Sequence, residues 1–259
     1  MKEIVALIHH QENNEVVVQT AIRMAQLFDL DMTLLYIIEA PYDWEQLGRT
    51  ARDSHPGVKT RINKARLTMD HWLTVIRSHQ ITVKKAFLYY DQEHSSAQYP
   101  NHSESLVITD KHLFDSADPT FSKVINQLTP IKLIVDTIFE PNEIEDIVLS
   151  SDFHTVQPQS VNLINALIAQ FSFHLNLVFI NSSELRENSA ISITNMKKAI
   201  AQYEFRKTSI SIFNAEDRLL GAEQFANIKG GDLIITEERN VVDVSALHKE
   251  HLPIIIIQK

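Results

Sequence analysis

Short runs of aliphatic and β-branched residues alternate along this chain with segments whose apolar positions recur at helical spacing. Such alternation predicts βα units and a parallel sheet. The first five runs are Ile4–Ile8, Met32–Ile38, Ile81–Tyr89, Leu106–Ile108 and Ile131–Val135. Five more follow at Ile147–Leu149, Leu175–Ile180, Ser209–Phe213, Leu233–Ile235 and Ile254–Ile257. Five and five suggests a duplication, which a fixed offset can test. At an offset of 143, Ile4 and Val5 meet Ile147 and Val148. The same offset brings Val18, Ala21, Ala25 and Phe28 onto Val161, Ile164, Ile168 and Phe171, with the i, i+3, i+7, i+10 spacing of a buried helix face. In the second strand Met32, Leu34, Leu35, Tyr36 and Ile37 meet Leu175, Leu177, Val178, Phe179 and Ile180. One offset serving three consecutive elements marks an internal repeat.

Further along, the offset falls to 127, which aligns SLVITDK (105–111) with DLIITEE (232–238). The difference, 143 − 127 = 16 residues, matches the longer first-half loop APYDWEQLGRTARDSHPGVK (40–59). At the end the offset is 123, placing Pro130 opposite Pro253 just before each fifth strand. The chain therefore reads as two tandem α/β domains of one Rossmann-like fold, 1–138 and 142–259, each built on a five-stranded parallel sheet. The polar stretch IFEPNEIED (138–146) joins them. Helices should cover both faces of such a sheet. One is expected in RINKARLTMDHWLTVIRSHQ (61–80), with Ile62, Leu67, Trp72, Val75 and Ile76 toward the strands. Trp44 and Tyr42, in the long first-half loop, are candidates for an exposed contact.

Composition narrows the function classes. With 259 residues, 44% hydrophobic and 22% charged, the chain has enough apolar material for a real core. A formal charge of −9 speaks against nucleic acid or an anionic membrane as partner, since both recruit clustered Lys and Arg. No cysteine is present, which excludes disulfides, thiolate catalysis and Cys-ligated metal centres. MKEIVALIHH reads as a first strand instead of a signal peptide, and no apolar segment approaches the ~20 residues that span a bilayer. A cytoplasmic location is the expectation. Only five glycines occur, so little material exists for a phosphate-cradling loop, where backbone N–H groups must approach an anion unhindered.

The element order, given twice, resembles a tandem universal stress protein. DIVLSSDF (146–153) is similar to that family's first strand and the turn after it, and HLNLVFINSS (174–183) to its second strand. GGDLIITEE (230–238) leading to LPIIIIQK (252–259) resembles its fourth and fifth strands. The resemblance implies a stress-response or regulatory binding module without enzymatic activity, whose halves associate through their fifth strands or neighbouring faces as a pseudo-dimer, with a further homodimer left open. In the nucleotide-binding branch an aspartate after the first strand recognises adenine, and a glycine-rich stretch after the fourth holds ribose and phosphates. On that pattern Asp152, with Ser151 and Ile180, would form a cofactor site for ATP or AMP. His9 stands in the equivalent first-half place (9 + 143 = 152), so the pattern fails there. The glycine stretch fails in both halves: neither 111–129 nor 239–252 contains a glycine. Glu237 and Glu238 stand where the first phosphate contacts would fall, and like charge there opposes ATP. ATP binding in the family manner is therefore not expected, and a protein or small-molecule partner of unknown identity takes its place.

Other chemistries find thinner support. Asp152 reads more readily as a cap or turn residue before a helix at 158–171, because the rest of the nucleotide site is absent. His248 and His251, with Asp243 and Glu250 nearby, fall short of a converging ligand set, and solvated or capping histidines are the simpler account. No G-x-S-x-G elbow is present. Glu140, Glu143, Glu145 and Asp146 read as a solvated linker charge run. Two readings beyond the binding module stay open: an ATP- or AMP-binding protein with weak ATPase activity that uses Asp152 with atypical phosphate contacts, and an interaction scaffold that uses the 40–59 loop.

Overall fold

The structure is a computed structural model, and it describes residues 1–9, 14–41, 43–90, 105–111, 128, 131–155, 157–183, 185–203, 207–238 and 252–258. All ten anticipated strands are present: β1 (Glu3–Ile8), β2 (Asp31–Glu39), β3 (Val83–Tyr90), β4 (Ser105–Asp110), β5 (Ile131–Val135), β6 (Asp146–Ser150), β7 (His174–Asn181), β8 (Thr208–Asn214), β9 (Leu233–Glu238) and β10 (Ile254–Gln258). The helices among the described residues are α1 (Asn14–Phe28), α2 (Arg49–Asp53), α3 (Pro56–Ser78), α4 (Pro158–Gln170), α5 (Ser189–Ile200) and α6 (Arg218–Lys229).

By internal contacts the chain divides into two compact units, Lys2–Thr129 and Pro130–Lys259. In the first, four parallel strands lie in the order β3-β2-β1-β4. In the second, β8-β7-β6-β9 repeat that order in parallel, and β10 continues it beside β9. β5 closes the first repeat in sequence but belongs to the second unit, where it runs antiparallel to β10. The register of that pairing obeys the duplication. Ile131 faces Ile257, Lys132 faces Ile256, Leu133 faces Ile255 and Ile134 faces Ile254. Exchanging each residue for its counterpart 123 positions away (253 − 130) maps this set onto itself. The fifth strands thus pair about a local pseudo-twofold axis.

Strands β1, β4 and β5 are buried along their length, as strands covered on both faces must be. α1 turns Val17, Val18, Ala21, Ile22, Met24 and Ala25 inward, on the helical period read from the sequence. Helix ends follow capping chemistry. Asp217 accepts a hydrogen bond from the Leu220 N–H at 2.8 Å to start α6, and Gly230 ends it in the left-handed region at φ 69°. Pro56 and Pro158 open α3 and α4, where a missing N–H costs nothing.

Three local expectations are corrected. Leu67 is 74% exposed, and α3 instead buries Val58, Ile62, Ala65, Met69, Leu73 and Ile76. Trp72 is only half-buried because Leu73 takes the inward place beside it. Trp44 is buried, not offered to solvent: the Arg52 guanidinium lies over its ring, Arg52 Nε donates to its carbonyl at 3.0 Å, and His55 meets it edge-on. The 40–59 segment therefore folds around its own tryptophan. Tyr42 lies outside the described residues.

Candidate functional site

In a parallel α/β sheet, side chains converge for binding beyond the carboxyl ends of the strands, at the strand whose two neighbours lead in opposite directions. Those strands are β1, between β2 and β4, and β6, between β7 and β9. The offsets place Asp110 and Glu237 at equivalent positions (110 + 127 = 237), each at the end of the fourth strand of its repeat. Both carboxylates are buried, at 0% and 2% exposure.

At the second-half mouth the register Ser150↔Thr236 brings Ser151 abreast of Glu237. Ser151 Oγ donates to Glu237 Oε2 at 2.6 Å, and Ser160 Oγ, in the first turn of α4, donates to Glu237 Oε1. Ser151 Oγ also accepts the Phe153 N–H at 3.1 Å, while Asp152 Oδ1 accepts the His154 N–H at 3.1 Å. Asp152 is thus a buried turn residue. It does not cap α4, whose N-cap is Gln157. Phe153 sits at φ 55°, a left-handed conformation rare for an aromatic, and the two flanking side-chain bonds hold the turn around it. Arg218 Nη2 reaches the Glu237 carbonyl at 3.4 Å. Burial, reinforced by the charge of Glu237, raises the Tyr203 hydroxyl above its usual pKa and keeps it protonated. Below the turn, His154 Nε2 lies 3.2 Å from Glu187 Oε1, and Glu187 accepts Ser192 Oγ at 2.6 Å.

Ile180 stands apart from this cluster. It is buried near the end of β7 and packs against α6 so closely that a Cβ on Gly221 would lie 2.8 Å from its Cγ2. The structure therefore brings Ser151 and Asp152 together and gives Ile180 a packing role.

At the first-half mouth His9 Nε2 lies 3.0 Å from Asp110 Oδ2. The His9 N–H donates to Asn14 Oδ1 at 3.1 Å, and Asn14 Nδ2 donates back to the His9 carbonyl at 2.8 Å. Asn14, the first residue of α1, so clamps the chain as it leaves β1.

Sequence reading missed the carboxylate partners. Ser160, Tyr203 and the His9–Asp110 contact are separated from their counterparts by dozens of residues, and no local spacing reveals them. One signal existed: the offset of 127 puts Asp110 on Glu237, and a second acid at that place was legible.

A cavity of 240 Å³ opens where β9 and β10 begin, lined by Val135, Phe139, Ile144 and Pro253 with Asp136, Glu143 and Asp232 among its acids. Asp232 Oδ2 is held there by the N–H groups of Glu145 and Asp146, at 2.8 and 2.9 Å. Among the described residues no three His, Asp or Glu side chains are grouped to hold a metal ion, and no helix is long and apolar enough to cross a membrane. His248, His251, Asp243, the connection 239–251 and the side chain of Glu238 lie outside the described residues.

No family model matches the chain, and no curated protein matches it in sequence. Solved structures do. A universal stress protein from Archaeoglobus fulgidus superposes with a TM-score of 0.66 at 9% identity, over 99% of this chain and 96% of that one. A putative universal stress protein from Pseudomonas aeruginosa gives 0.61 at 11% identity, covering 99% and 93%. A protein of unknown function from the same species gives 0.60 at 12% identity, covering 99% and 92%. At these identities the likeness concerns the backbone, and on that ground, with the repeated strand order and the paired fifth strands, the chain has the fold of the universal stress proteins.

Proposed function

We propose that this chain is a non-enzymatic regulatory binding module of the universal stress protein kind, acting in a stress response in the cytoplasm through a protein or small-molecule partner, and that it does not take ATP or AMP in the family manner. One observation carries the reading: at both strand mouths a buried carboxylate is committed to donors of the chain itself, His9 to Asp110 and Ser151 with Ser160 to Glu237. A phosphate brought to either place meets like charge in a low-dielectric site, and the turn amides that could hold it already donate to Ser151 and Asp152. The glycine-poor sequence supports the same conclusion, since neither 111–129 nor 239–252 carries a glycine that would let backbone N–H groups approach an anion unhindered. The test is thermal unfolding and titration calorimetry with millimolar ATP and AMP. No heat and no shift are expected. A shift that Asp152→Ala removes would overturn the reading in favour of a nucleotide-binding protein.

The 40–59 segment supports a second reading, as a docking element. Anchored by Trp44 and Arg52, it presents Glu45, Gln46, Arg49 and Thr50 to solvent. Replacing those four residues with alanine leaves the anchor intact and should abolish capture of a partner that the wild-type chain retains; unchanged capture counts against this surface.

A further inference from the structure

The sheet of the first unit ends on β3, and among the described residues no strand lies on its outer side. Such an edge presents unpaired backbone N–H and C=O groups to any extended chain. The charge around it differs from the rest of the protein. From Arg49 to Lys85 nine Lys or Arg stand against two Asp, a net of +7 in a chain whose total is −9. Four of the nine are engaged: Lys59 pairs with Asp53 and Lys85 with Asp70, while Arg52 and Arg61 donate to the carbonyls of Trp44 and Glu39. The other five, Arg49, Lys64, Arg66, Arg77 and Lys84, are exposed and have no ion-pair partner among the described residues. Arg66, Asp70 and Arg77, at steps of four and seven, share one side of α3. Asp70 accepts Lys85 Nζ at 3.1 Å. The Tyr89 hydroxyl, raised to about 12 chiefly by burial, is pulled the other way by Arg66. That side of the helix therefore runs along β3, and Lys84 adds a cation on the second face of the strand.

We propose that the β3 edge with its flanking cations is a docking site for an acidic segment of a partner protein, taken up as an added strand. The proposal rests on the reading of the chain as a protein-binding module and names the chemistry of the partner. Main-chain bonds to the open edge supply affinity, and Arg66, Arg77 and Lys84 select acidic side chains. Edge lysines also repel unwanted strands. That role does not account for the arginines of α3, and β8, which ends the sheet of the second unit, carries no charged residue. Nucleic acid has no strand to add, and it meets a charge of −16 (−9 − 7) on the remaining residues.

The probe is a fluorescent octapeptide of alternating glutamate and valine, whose anisotropy is followed as the full chain is added at low salt. Saturable binding is expected, weakening as sodium chloride is raised. Arg66→Glu with Arg77→Glu should weaken it at least about tenfold, because two attractions become repulsions. Arg66→Gln with Arg77→Gln, which adds no repulsion, should weaken it about threefold and decides if the reversed variant does not fold. N-methylation of alternate peptide amides, in one of its two phases, should weaken binding about tenfold by removing main-chain donors. Equal binding by both methylated peptides would mean charge without strand addition and overturn the proposal. No saturable binding, or affinity unchanged in the charge variants, also overturns it and leaves the lysines as guards of the edge. A single-stranded oligonucleotide or a phosphatidylserine vesicle that binds more tightly than the peptide, and is lost in the same variants, overturns it in favour of that partner. The variant with alanine at Glu45, Gln46, Arg49 and Thr50 should bind the peptide within about twofold of the wild type, so the 40–59 surface and this edge can fail separately.

Discussion

His9 Nε2 lies 3.0 Å from Asp110 Oδ2 with both side chains buried, a contact that joins the ends of β1 and β4 across 101 residues of sequence. Removing one partner of a buried pair leaves the other desolvated without compensation. Asp110→Ala should therefore cost about 2–4 kcal/mol of stability, while Asp110→Asn, which keeps an acceptor oxygen, should cost about half as much. Urea unfolding of the three proteins at one pH checks the order. An unchanged midpoint for Asp110→Ala would show that the contact contributes nothing.

Gly221 tests how Ile180 is held. Inside α6 an alanine gains up to ~1 kcal/mol of helix propensity over glycine. Its Cβ would lie 2.6 Å from the Ala215 Cβ and 2.8 Å from the Ile180 Cγ2, and neither is the end of a long flexible side chain. Overpacking of this kind costs roughly 1–3 kcal/mol, so the clash outweighs the propensity and Gly221→Ala should lower the melting temperature. Gly57→Ala in the first turn of α3 meets no atom within 4 Å and should raise it slightly. Parallel thermal melts of the two variants give opposite signs if Ile180 packs as described.

Phe153 and Gln80 share a left-handed backbone, at φ 55° and 63°, but not an environment. Glycine at either position relieves about 1–2 kcal/mol of steric strain and gives back roughly 0.5–1 in unfolded-state entropy. At exposed Gln80 nothing else is lost, and Gln80→Gly should stabilise by about 0.5 kcal/mol. At Phe153 a side chain only 4% exposed disappears, which costs about 3–5 kcal/mol. Burial wins there, and Phe153→Gly should destabilise by about 2.5–4.5 kcal/mol. Denaturant midpoints of opposite sign for the two variants are the expected result.

These cases separate what the chain discloses in one dimension from what it does not. The ten strands were legible because runs such as Ile254–Ile257 are short, apolar and β-branched, and the duplication because Val18, Ala21 and Ala25 keep their helical spacing at a constant offset. Leu67 was misplaced because it stands two positions from both Ala65 and Met69, on the face of α3 opposite the buried stripe, and an apolar residue there looks the same in a list of hydrophobics. Trp44 was misplaced because its partners, Arg52 and His55, come from the same loop, whose fold no periodicity encodes. At the mouths, the sequence shows Glu237 as an acid at the end of the fourth strand of its repeat. Its two serine partners were hidden, since they depend on the β6–β9 register and on where α4 begins.

Lys132 offers the sharpest pH test. It is fully buried in β5 opposite Ile256, where the symmetry-related pair is Leu133 with Ile255. Desolvation lowers its pKa from 10.5 to about 7. Between those values the unfolded chain holds a proton on this lysine that the folded chain releases, so its contribution to stability improves as pH rises from about 7 to 10.5. Below the folded pKa both states are charged and the full burial penalty is felt; above the unfolded one both are neutral and it vanishes. Lys132→Met keeps the length of the side chain and cannot titrate. It should exceed the wild type by roughly 1–4 kcal/mol at pH 6, and the gap should close toward pH 10. Other groups titrate in both proteins, so the difference between their urea midpoints, followed against pH, isolates the lysine. A gap that stays constant across that range would mean that Lys132 is charged in the folded protein throughout, held by a partner strong enough to offset its desolvation.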